Sequence, residues 1–164
     1  MYQVIILGAG GFAKEVYDWC NMSFNKSKYK IKGFLLKDPN DVGHITKYMN
    51  IINSKEDDYE IKKSDRFILA ISDVQIKKKV VRNIKEKGGI FISLIHHSAI
   101  ISPNVKIGEG VIICPNVVVS SNSNIGDFSM LNFNSSVAHD SSVGKHSILC
   151  PYATINGYSS IGDE

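Results

Sequence analysis

The second half of the chain carries a hydrophobic pattern with a period of six residues. From Ile95 onward every sixth position is aliphatic, and the position four residues later holds Ser, Ala or Val. The aliphatic positions are Ile95, Ile101, Ile107, Ile113, Val119, Ile125, Leu131, Val137, Val143, Leu149, Ile155 and Ile161. Glycine recurs every eighteen residues, so three hexads form one turn. The pattern predicts a parallel β-helix, a three-sided prism whose axis the aliphatic residues fill.

The first half of the chain alternates between strand and helix patterns. Short apolar runs predict strands at 4–7, 31–36, 67–70 and 90–94. Helical spacing predicts helices at 12–20 and 74–87, the second with a buried face made of Ile76, Val80, Val81 and Ile84. Ser54, followed by Asp57, predicts the start of a short helix. The alternation predicts a small parallel sheet with right-handed crossovers.

The composition changes where the pattern changes. Residues 1–94 carry a net charge of +6 and residues 95–164 a net charge of −3. We therefore predict two domains, 1–94 and 95–164. The total charge of +3 does not indicate a nucleic-acid partner. No apolar run is long enough to cross a membrane and no signal peptide is evident, so we expect a cytoplasmic protein. Three cysteines without CxxC spacing indicate neither a disulfide scaffold nor a metal site.

A glycine-rich turn follows the first predicted strand. Gly8, Gly10 and Ala13 fit the pattern G-x-G-x-x-A, which directs backbone N–H groups and a helix N-terminus toward a phosphate. A dinucleotide site requires an acidic residue at the end of the second strand, where Leu36 stands and Asp38 lies two residues further on. The domain is also short for two nucleotide-binding halves. A single nucleoside diphosphate is the better prediction, and a turn that only packs is the alternative.

His139 and Asp140 are the candidate chemical groups of the repeat. His139 follows Val137 by two positions, which places it at a corner of the prism, outside the aliphatic stack. An imidazole can accept a proton from an amine or hydroxyl that attacks a thioester, and a neighbouring carboxylate can fix its tautomer. A solvated corner histidine is the alternative.

Three other polar groups have structural predictions. Asp73 is expected to cap the helix that follows it. The three lysines at 77–79 favour a solvated helix face over a phosphate clamp. His96 and His97, at the domain junction, are expected to be structural.

A hexad β-helix behind a small α/β domain that opens with GAGGFAKE resembles one family of bacterial sugar acyltransferases. The family is typified by sialic acid O-acetyltransferase and UDP-4-amino-sugar N-acetyltransferase. The resemblance rests on the segments at 8–11, 33–35, 70–73, 94–96 and 132–140. It implies a Rossmann-like N-terminal domain that binds a nucleotide sugar. It also implies a left-handed β-helix that binds acetyl-CoA, a homotrimer, and no metal.

The resemblance also assigns roles to residues. It implies that His139 is the general base and Asp140 its partner, and that backbone N–H groups of Ile148 and Gly157 bind acetyl-CoA. The implied substrate-binding residues are Gly8, Gly10, Gly11, Phe12, Asp38, Ser72, Asp73 and Asn132. This sequence departs from the family where relatives often carry histidine, at Phe12 and Ile148. It departs also at Tyr152, where relatives carry Gly, and at 36–37, where they carry two Asp.

Three functions follow as hypotheses. The first is acetyl transfer from acetyl-CoA to the amino group of a UDP-linked amino-deoxy sugar. The second is O-acetylation of a sugar, as in sialic acid modification. The third is a non-catalytic nucleotide-sugar-binding protein. The repeat is still running at Ile161, and the chain stops inside a hexad. This predicts a truncated solenoid, or one whose end another chain covers.

Overall fold

The computed structural model describes residues 1–40, 42–43 and 50–164. The chain divides into two compact units, Met1–Ile92 and Ser93–Glu164. The sequence pattern predicted this boundary between residues 94 and 95, two positions further along the chain. Within the described residues, no helix has the length and apolar character needed to cross a membrane.

The first unit is a four-stranded parallel sheet with two helices. Its strands are β1 (Tyr2–Leu7), β2 (Tyr29–Leu36), β3 (Ile51–Lys55) and β4 (Asp65–Leu69). Helix α1 (Gly11–Ser23) follows β1, and α2 (Val74–Glu86) follows β4. The strand order is β3-β2-β1-β4, so β1 lies between a strand that follows it directly and one that comes later. In parallel sheets such a reversal of strand order opens a crevice at the carboxyl ends of the strands.

The central position of β1 follows from its composition. Its last four residues, Val4 to Leu7, are fully buried, as expected for an interior strand of a parallel sheet. Helix α1 buries Ala13, Val16 and Cys20. The sheet and the two helices thus hold the glycine-rich turn at the edge of a rigid core.

Two predicted elements of this unit are wrong. Ser54 and Asp57 do not begin a helix, because β3 runs through Ser54 and pairs with β2 from Ile51 to Lys55. Residues 90–94 do not form a strand of this sheet. Phe91 makes a single bridge to Phe67, and Leu94 pairs instead with Ile112 in the second unit.

Helix α2 also differs from its predicted faces. Ile76 was predicted to be buried but is 54% exposed, and Lys77 was predicted to be solvated but is only 2% exposed. The buried face comprises Lys77, Val80, Val81 and Ile84. The helix is therefore rotated so that the aliphatic stem of a lysine packs inward, as long cationic side chains can do. Burial lowers the pKa of Lys77 to about 8.

The second unit is a parallel β-helix of twelve two-residue strands. Its three sheets have the orders β14-β11-β8-β5, β15-β12-β9-β6 and β16-β13-β10-β7, and residues eighteen apart pair. The strands are β5 (Leu94–Ile95), β6 (Ile100–Ile101), β7 (Lys106–Ile107), β8 (Ile112–Ile113), β9 (Val118–Val119), β10 (Asn124–Ile125), β11 (Met130–Leu131), β12 (Ser136–Val137), β13 (Ser142–Val143), β14 (Ile148–Leu149), β15 (Thr154–Ile155) and β16 (Ser160–Ile161).

The axis of the prism is filled as the repeat predicted. The aliphatic positions from Ile113 to Ile155 are at most 6% exposed, whereas Ile95 and Ile161 in the end turns are 38% and 42% exposed. The serines at the small positions between Ser123 and Ser147 are also buried. Each of these five donates its hydroxyl to a backbone carbonyl oxygen, so burial leaves the hydroxyl satisfied.

The corners of the prism use the left-handed backbone conformation. A residue with φ between 56° and 64° recurs every six positions from Gly110 to Tyr158. From Phe128 to Tyr158 its N–H donates to a backbone carbonyl one turn earlier, as from Asp140 to Ser121 at 3.0 Å and from Tyr158 to His139 at 3.2 Å. The corners thus stack along the prism axis, and each corner side chain lies beside those eighteen residues away.

Candidate functional site

A cavity of about 530 Å³ lies at the carboxyl edge of the first unit's sheet. Its volume is within the range of small-molecule binding sites. The lining residues come from the turn after β1, the segments after β2, β3 and β4, and one face of α2. They include seven predicted site residues, namely Gly8, Gly10, Gly11, Phe12, Asp38, Ser72 and Asp73.

The glycines of the turn have two different functions. Gly8 has φ of +120°, and a Cβ there would lie 2.6 Å from the carbonyl oxygen of Ala70, so Gly8 is required for the contact between β1 and β4. Among the residues that the structure describes, a Cβ at Gly10 or Gly11 would meet no atom within 4 Å. Gly10 is the N-cap of α1 and provides no side-chain cap. No side chain of Gly10 or Gly11 therefore covers the N-terminus of α1, an arrangement that suits an anion.

The other predicted residues of the cavity have defined local contacts. The Asp73 carboxylate accepts a hydrogen bond from the Ile76 N–H at 2.8 Å, which confirms the predicted helix cap. The Asp38 carboxylate accepts one from the Asn40 N–H at 2.9 Å and so closes the turn after β2. Phe12 packs edge-on against Trp19. These contacts fix the rim of the cavity.

Glu56 lines the same cavity, and the sequence analysis missed it. It directly follows β3 and is only 8% exposed. Burial is the main cause that raises its pKa, with Asp57 adding to the rise, while Lys87, Lys79 and Lys37 oppose it. The available signal was the isoleucine pair at 51–52, which marks β3 and would have placed Glu56 at the carboxyl edge of the sheet.

His139 and Asp140 lie at one corner of the β-helix, between β12 and β13, and are hydrogen bonded. His139 Nδ1 lies 2.9 Å from Asp140 Oδ2, and the Asn122 amide donates to Asp140 Oδ1 at 3.1 Å. These bonds, with that from His139 the larger cause, lower the pKa of Asp140. Asp140 has φ of +56°, which brings two adjacent side chains to the outside of the corner.

The imidazole ring of His139 packs against residues of the next turn of the β-helix. Gly157 lies eighteen residues after His139, and a Cβ there would stand 2.9 Å from Cε1 and 3.0 Å from Nε2 of His139. The Tyr158 ring packs edge-on against the imidazole, with 5.2 Å between ring centroids. The His139 side chain remains 55% exposed. Because Gly157 has no side chain, the imidazole ring can occupy this position, and it remains accessible to solvent.

The hydrogen bond with Asp140 determines which nitrogen of His139 can accept a proton. An ionised carboxylate only accepts hydrogen bonds, so Asp140 selects the tautomer of His139 whose proton is on Nδ1. Nε2 then carries the lone pair and can accept a proton. The described residues contain no group of three His, Cys, Asp or Glu side chains that could hold a metal ion.

Asn132 and Ile148 lie elsewhere on the prism. Asn132 is at the corner between β11 and β12, where its side-chain oxygen accepts a hydrogen bond from the Phe133 N–H at 2.9 Å. Ile148 begins β14, in the sheet opposite the corner that holds His139. Within one chain, the structure brings Gly157 to His139 but not Asn132 or Ile148.

Solved structures with the same fold include two acetyltransferases and the protein WeeI. A mutant of perosamine N-acetyltransferase from Caulobacter crescentus, in complex with CoA and GDP-perosamine, has a TM-score of 0.72 and 23% identity, and the match covers 99% of this chain and 87% of that chain. The acetyltransferase domain of PglB from Neisseria gonorrhoeae has a TM-score of 0.71 and 16% identity, covering 99% and 86%. WeeI from Acinetobacter baumannii has a TM-score of 0.56 and 16% identity, covering 99% and 90%. These likenesses show the fold, a Rossmann-like domain followed by a left-handed β-helix.

Two comparisons bear on the family. Uncharacterized protein L142 of Acanthamoeba polyphaga mimivirus is 30% identical over 129 residues, which are 78% of this chain and 24% of that protein. The chain thus spans about a quarter of the length of this relative. Residues 3–84, half of the chain, match the PglD N-terminal domain. The chain therefore belongs to the family defined by the PglD N-terminal domain.

Proposed function

We propose that this chain transfers the acetyl group of acetyl-CoA to the amino group of a nucleotide-linked amino-deoxy sugar, with His139 as the general base. The observation that carries the proposal is the hydrogen bond between His139 Nδ1 and Asp140 Oδ2, which leaves Nε2 as the proton acceptor at an exposed corner. Family membership and the cavity of the first unit support the nucleotide sugar as acceptor.

The glycine-rich turn supports binding of a diphosphate. Gly10 and Gly11 have no side chains to fill the space in front of α1, and both line the cavity. A helix N-terminus carries a partial positive charge that favours phosphate oxygens. Asp38 follows the next strand of the sheet and lines the same cavity, so the proposal assigns its carboxylate to accept a hydrogen bond from a ribose hydroxyl.

The chemical step uses the imidazole as a proton acceptor. The amine nitrogen of the sugar forms a bond to the thioester carbonyl carbon, and the bond between that carbon and sulfur breaks. The proton lost by the nitrogen passes to Nε2 of His139, and Asp140 stabilises the imidazolium that forms. The leaving thiolate then takes up this proton from the imidazolium, which returns His139 to its neutral form for the next turnover.

A homotrimer is part of this proposal. Asn132 and Ile148 lie away from the corner of His139 in their own chain, so they could act on the same substrates only from a second copy. The prism has flat sheets that could pack against the corner of a neighbour. The proposal therefore assigns Asn132 to substrate binding and the N–H groups of Ile148 and Gly157 to acetyl-CoA binding across this contact.

The proposal is tested by thiol release from acetyl-CoA. The acceptor panel contains UDP- and GDP-linked amino sugars and free sialic acid, because the resemblance predicts UDP and the perosamine N-acetyltransferase structure holds GDP-perosamine. We expect release with a nucleotide-linked amino sugar and a product that survives mild alkali, as an amide does. An alkali-labile product would indicate O-acetylation instead.

The matched variants are His139→Gln and His97→Gln. Loss of a general base lowers the rate by about 100-fold or more, so we expect that loss in His139→Gln and little change in His97→Gln. Full activity in His139→Gln would exclude His139 as the base. Nucleotide binding without thiol release from any acceptor would favour a non-catalytic binding protein.

A further inference from the structure

Glu56 is a mostly buried residue that lines the cavity, and its carboxylate has no hydrogen-bonding partner among the described residues. Its residue is 92% buried and lines the cavity. In the part of the chain that the structure describes, its backbone N–H donates to Leu36 and its carbonyl oxygen accepts from Lys87, but its carboxylate accepts no hydrogen bond. A carboxylate that receives no donor from the chain and is accessible from a cavity is available to accept hydrogen bonds from a ligand there.

The position of Glu56 in the sheet indicates which part of a nucleotide it meets. The glycine-rich turn follows β1, Asp38 follows β2 and Glu56 follows β3, and these three strands are neighbours in that order. Neighbouring strands are about 4.8 Å apart, so Glu56 is roughly 10 Å from the glycine-rich turn along the sheet edge. A ribose and an α-phosphate separate a nucleobase from a β-phosphate by a comparable distance.

The surroundings of Glu56 fit the flat apolar body of a base. Ile76 and Val80 of α2 line the same cavity, and Ile76 is 54% exposed although it is aliphatic. Lys79 and Lys37, which also line the cavity, act on the Glu56 carboxylate by charge. Such an apolar wall with a charged group at its end is typical of a site that binds a ring by its face and identifies it by its edge.

We propose that Glu56 accepts two hydrogen bonds from the base of the bound nucleotide and so makes the cavity selective for guanine. The inference rests on the proposed function, because it names the nucleotide of the same site. An ionised carboxylate offers two acceptor atoms and no donor. Among the common bases only guanine presents two adjacent donors on one edge, the N1–H and the 2-amino group.

The other bases match this carboxylate poorly. Uracil presents one N–H between two carbonyl oxygens, which would repel carboxylate oxygens. Adenine and cytosine each present an amino group beside a ring nitrogen that accepts, so one carboxylate oxygen would face another acceptor. A buried polar group left facing a like group loses much of its binding free energy. Guanosine rather than uridine diphosphate is therefore the expected nucleotide.

The test is calorimetric titration of the full chain with GDP, UDP and inosine diphosphate. Inosine diphosphate keeps the N1–H of guanine and lacks its 2-amino group. We expect GDP to bind at least tenfold more tightly than UDP, with inosine diphosphate between them. Equal affinity for GDP and UDP, or for GDP and inosine diphosphate, would overturn the inference.

Two variants link the selectivity to the residue. Glu56→Gln replaces one acceptor by a donor, so we expect GDP affinity to fall at least tenfold and UDP affinity to change less than twofold or to rise. Glu60→Gln, an exposed residue outside the cavity, is the control and should bind as the wild type does. Thermal unfolding of both variants shows whether they are folded. Unchanged GDP affinity in folded Glu56→Gln would contradict the inference.

The outcomes separate this inference from the proposed function. If UDP binds as tightly as GDP, the guanine inference fails and the nucleotide site remains. If no nucleoside diphosphate binds, both the nucleotide site and the guanine inference fail. If nucleotides bind with the expected selectivity but no acetyl transfer occurs, only the catalytic part of the proposed function fails.

Discussion

The two units bury polar groups in different ways. In the β-helix the buried polar residues from Ser123 to Ser147 are all serines, and each hydroxyl donates to a backbone carbonyl. In the α/β unit the buried polar residues are charged, namely Glu56, Asp65 and Lys77. A hydroxyl can be satisfied by the nearest turn of backbone, whereas a buried charge requires a specific partner from elsewhere in the fold or from a ligand.

Asp65 shows how such a charge is satisfied within the chain. The Tyr59 hydroxyl donates to its carboxylate at 2.8 Å and the Lys62 N–H at 2.9 Å, while Lys32 lies 3.4 Å away. Burial, with the hydrogen bond to Asp65 adding to it, raises the pKa of Tyr59. Glu56 has no corresponding set of donors in the described chain. The comparison thus separates a charge that the chain itself satisfies from one whose donors we propose a ligand supplies.

The largest expected effect is from Asp65→Ala. Removal of the carboxylate leaves the Tyr59 hydroxyl and the Lys32 ammonium without their shared acceptor, and we expect a loss of about 3 kcal/mol in the free energy of unfolding. Urea unfolding measures it, with the exposed Asp58→Ala as control. A loss no greater than in the control would mean that the Asp65 network does not stabilise the unit.

Lys77→Met should increase the free energy of unfolding, whereas Asp65→Ala should decrease it. Burial lowers the pKa of Lys77 from 10.5 to about 8, so the folded state disfavours the charged form. The loss of folding stability caused by burying the charged lysine is complete below pH 8, decreases between pH 8 and 10.5, and is absent above pH 10.5. At pH 7 we expect Lys77→Met to stabilise the unit by about 2 kcal/mol. The gain over wild type should shrink as the pH rises toward 10.5, unlike in Lys78→Met. A pH-independent difference would argue against charge as the cause.

Ser135→Ala tests the β-helix side of the comparison. It removes a hydroxyl that donates to the Asn132 carbonyl oxygen at 2.7 Å, and a neutral hydrogen bond of this kind contributes about 1 kcal/mol. Urea unfolding should show a loss of that size. Ser136→Ala, at an outward position, should cost less. If both variants lose the same stability, the burial of Ser135 does not determine how much its hydroxyl stabilises the β-helix.

Gly157→Ala should have the smallest effect on stability and still reduce acetyl transfer. The new methyl group would displace the His139 ring, which can move toward solvent, so we expect less than about 0.5 kcal/mol in stability. Misplacement of a general base should lower the rate about tenfold. Gly162→Ala, whose Cβ would meet no described atom within 4 Å, is the control. Wild-type rates in Gly157→Ala would show that the ring position seen here is not required.

The sequence predicted the β-helix in more detail than the α/β unit. Because each turn repeats the last, the position of Val137 or Ser135 in the hexad was enough to predict its burial, and the corner position of His139 followed. No such rule existed for Ser54, which lies in a strand, or for Lys77, which is buried. These outcomes depend on which strands pair and how a helix is rotated, so local spacing could not predict them.

What the sequence by itself determined is the prism, its aliphatic axis, the glycine-rich turn after β1 and the pairing of His139 with Asp140, because each depends on residues close in sequence or on a fixed period. Only the tertiary structure decided that Gly157 supports the His139 ring, that Asn132 and Ile148 lie away from it, and that Glu56 lines the cavity. Those relations depend on the stacking of turns and on strand order, which bring distant residues together.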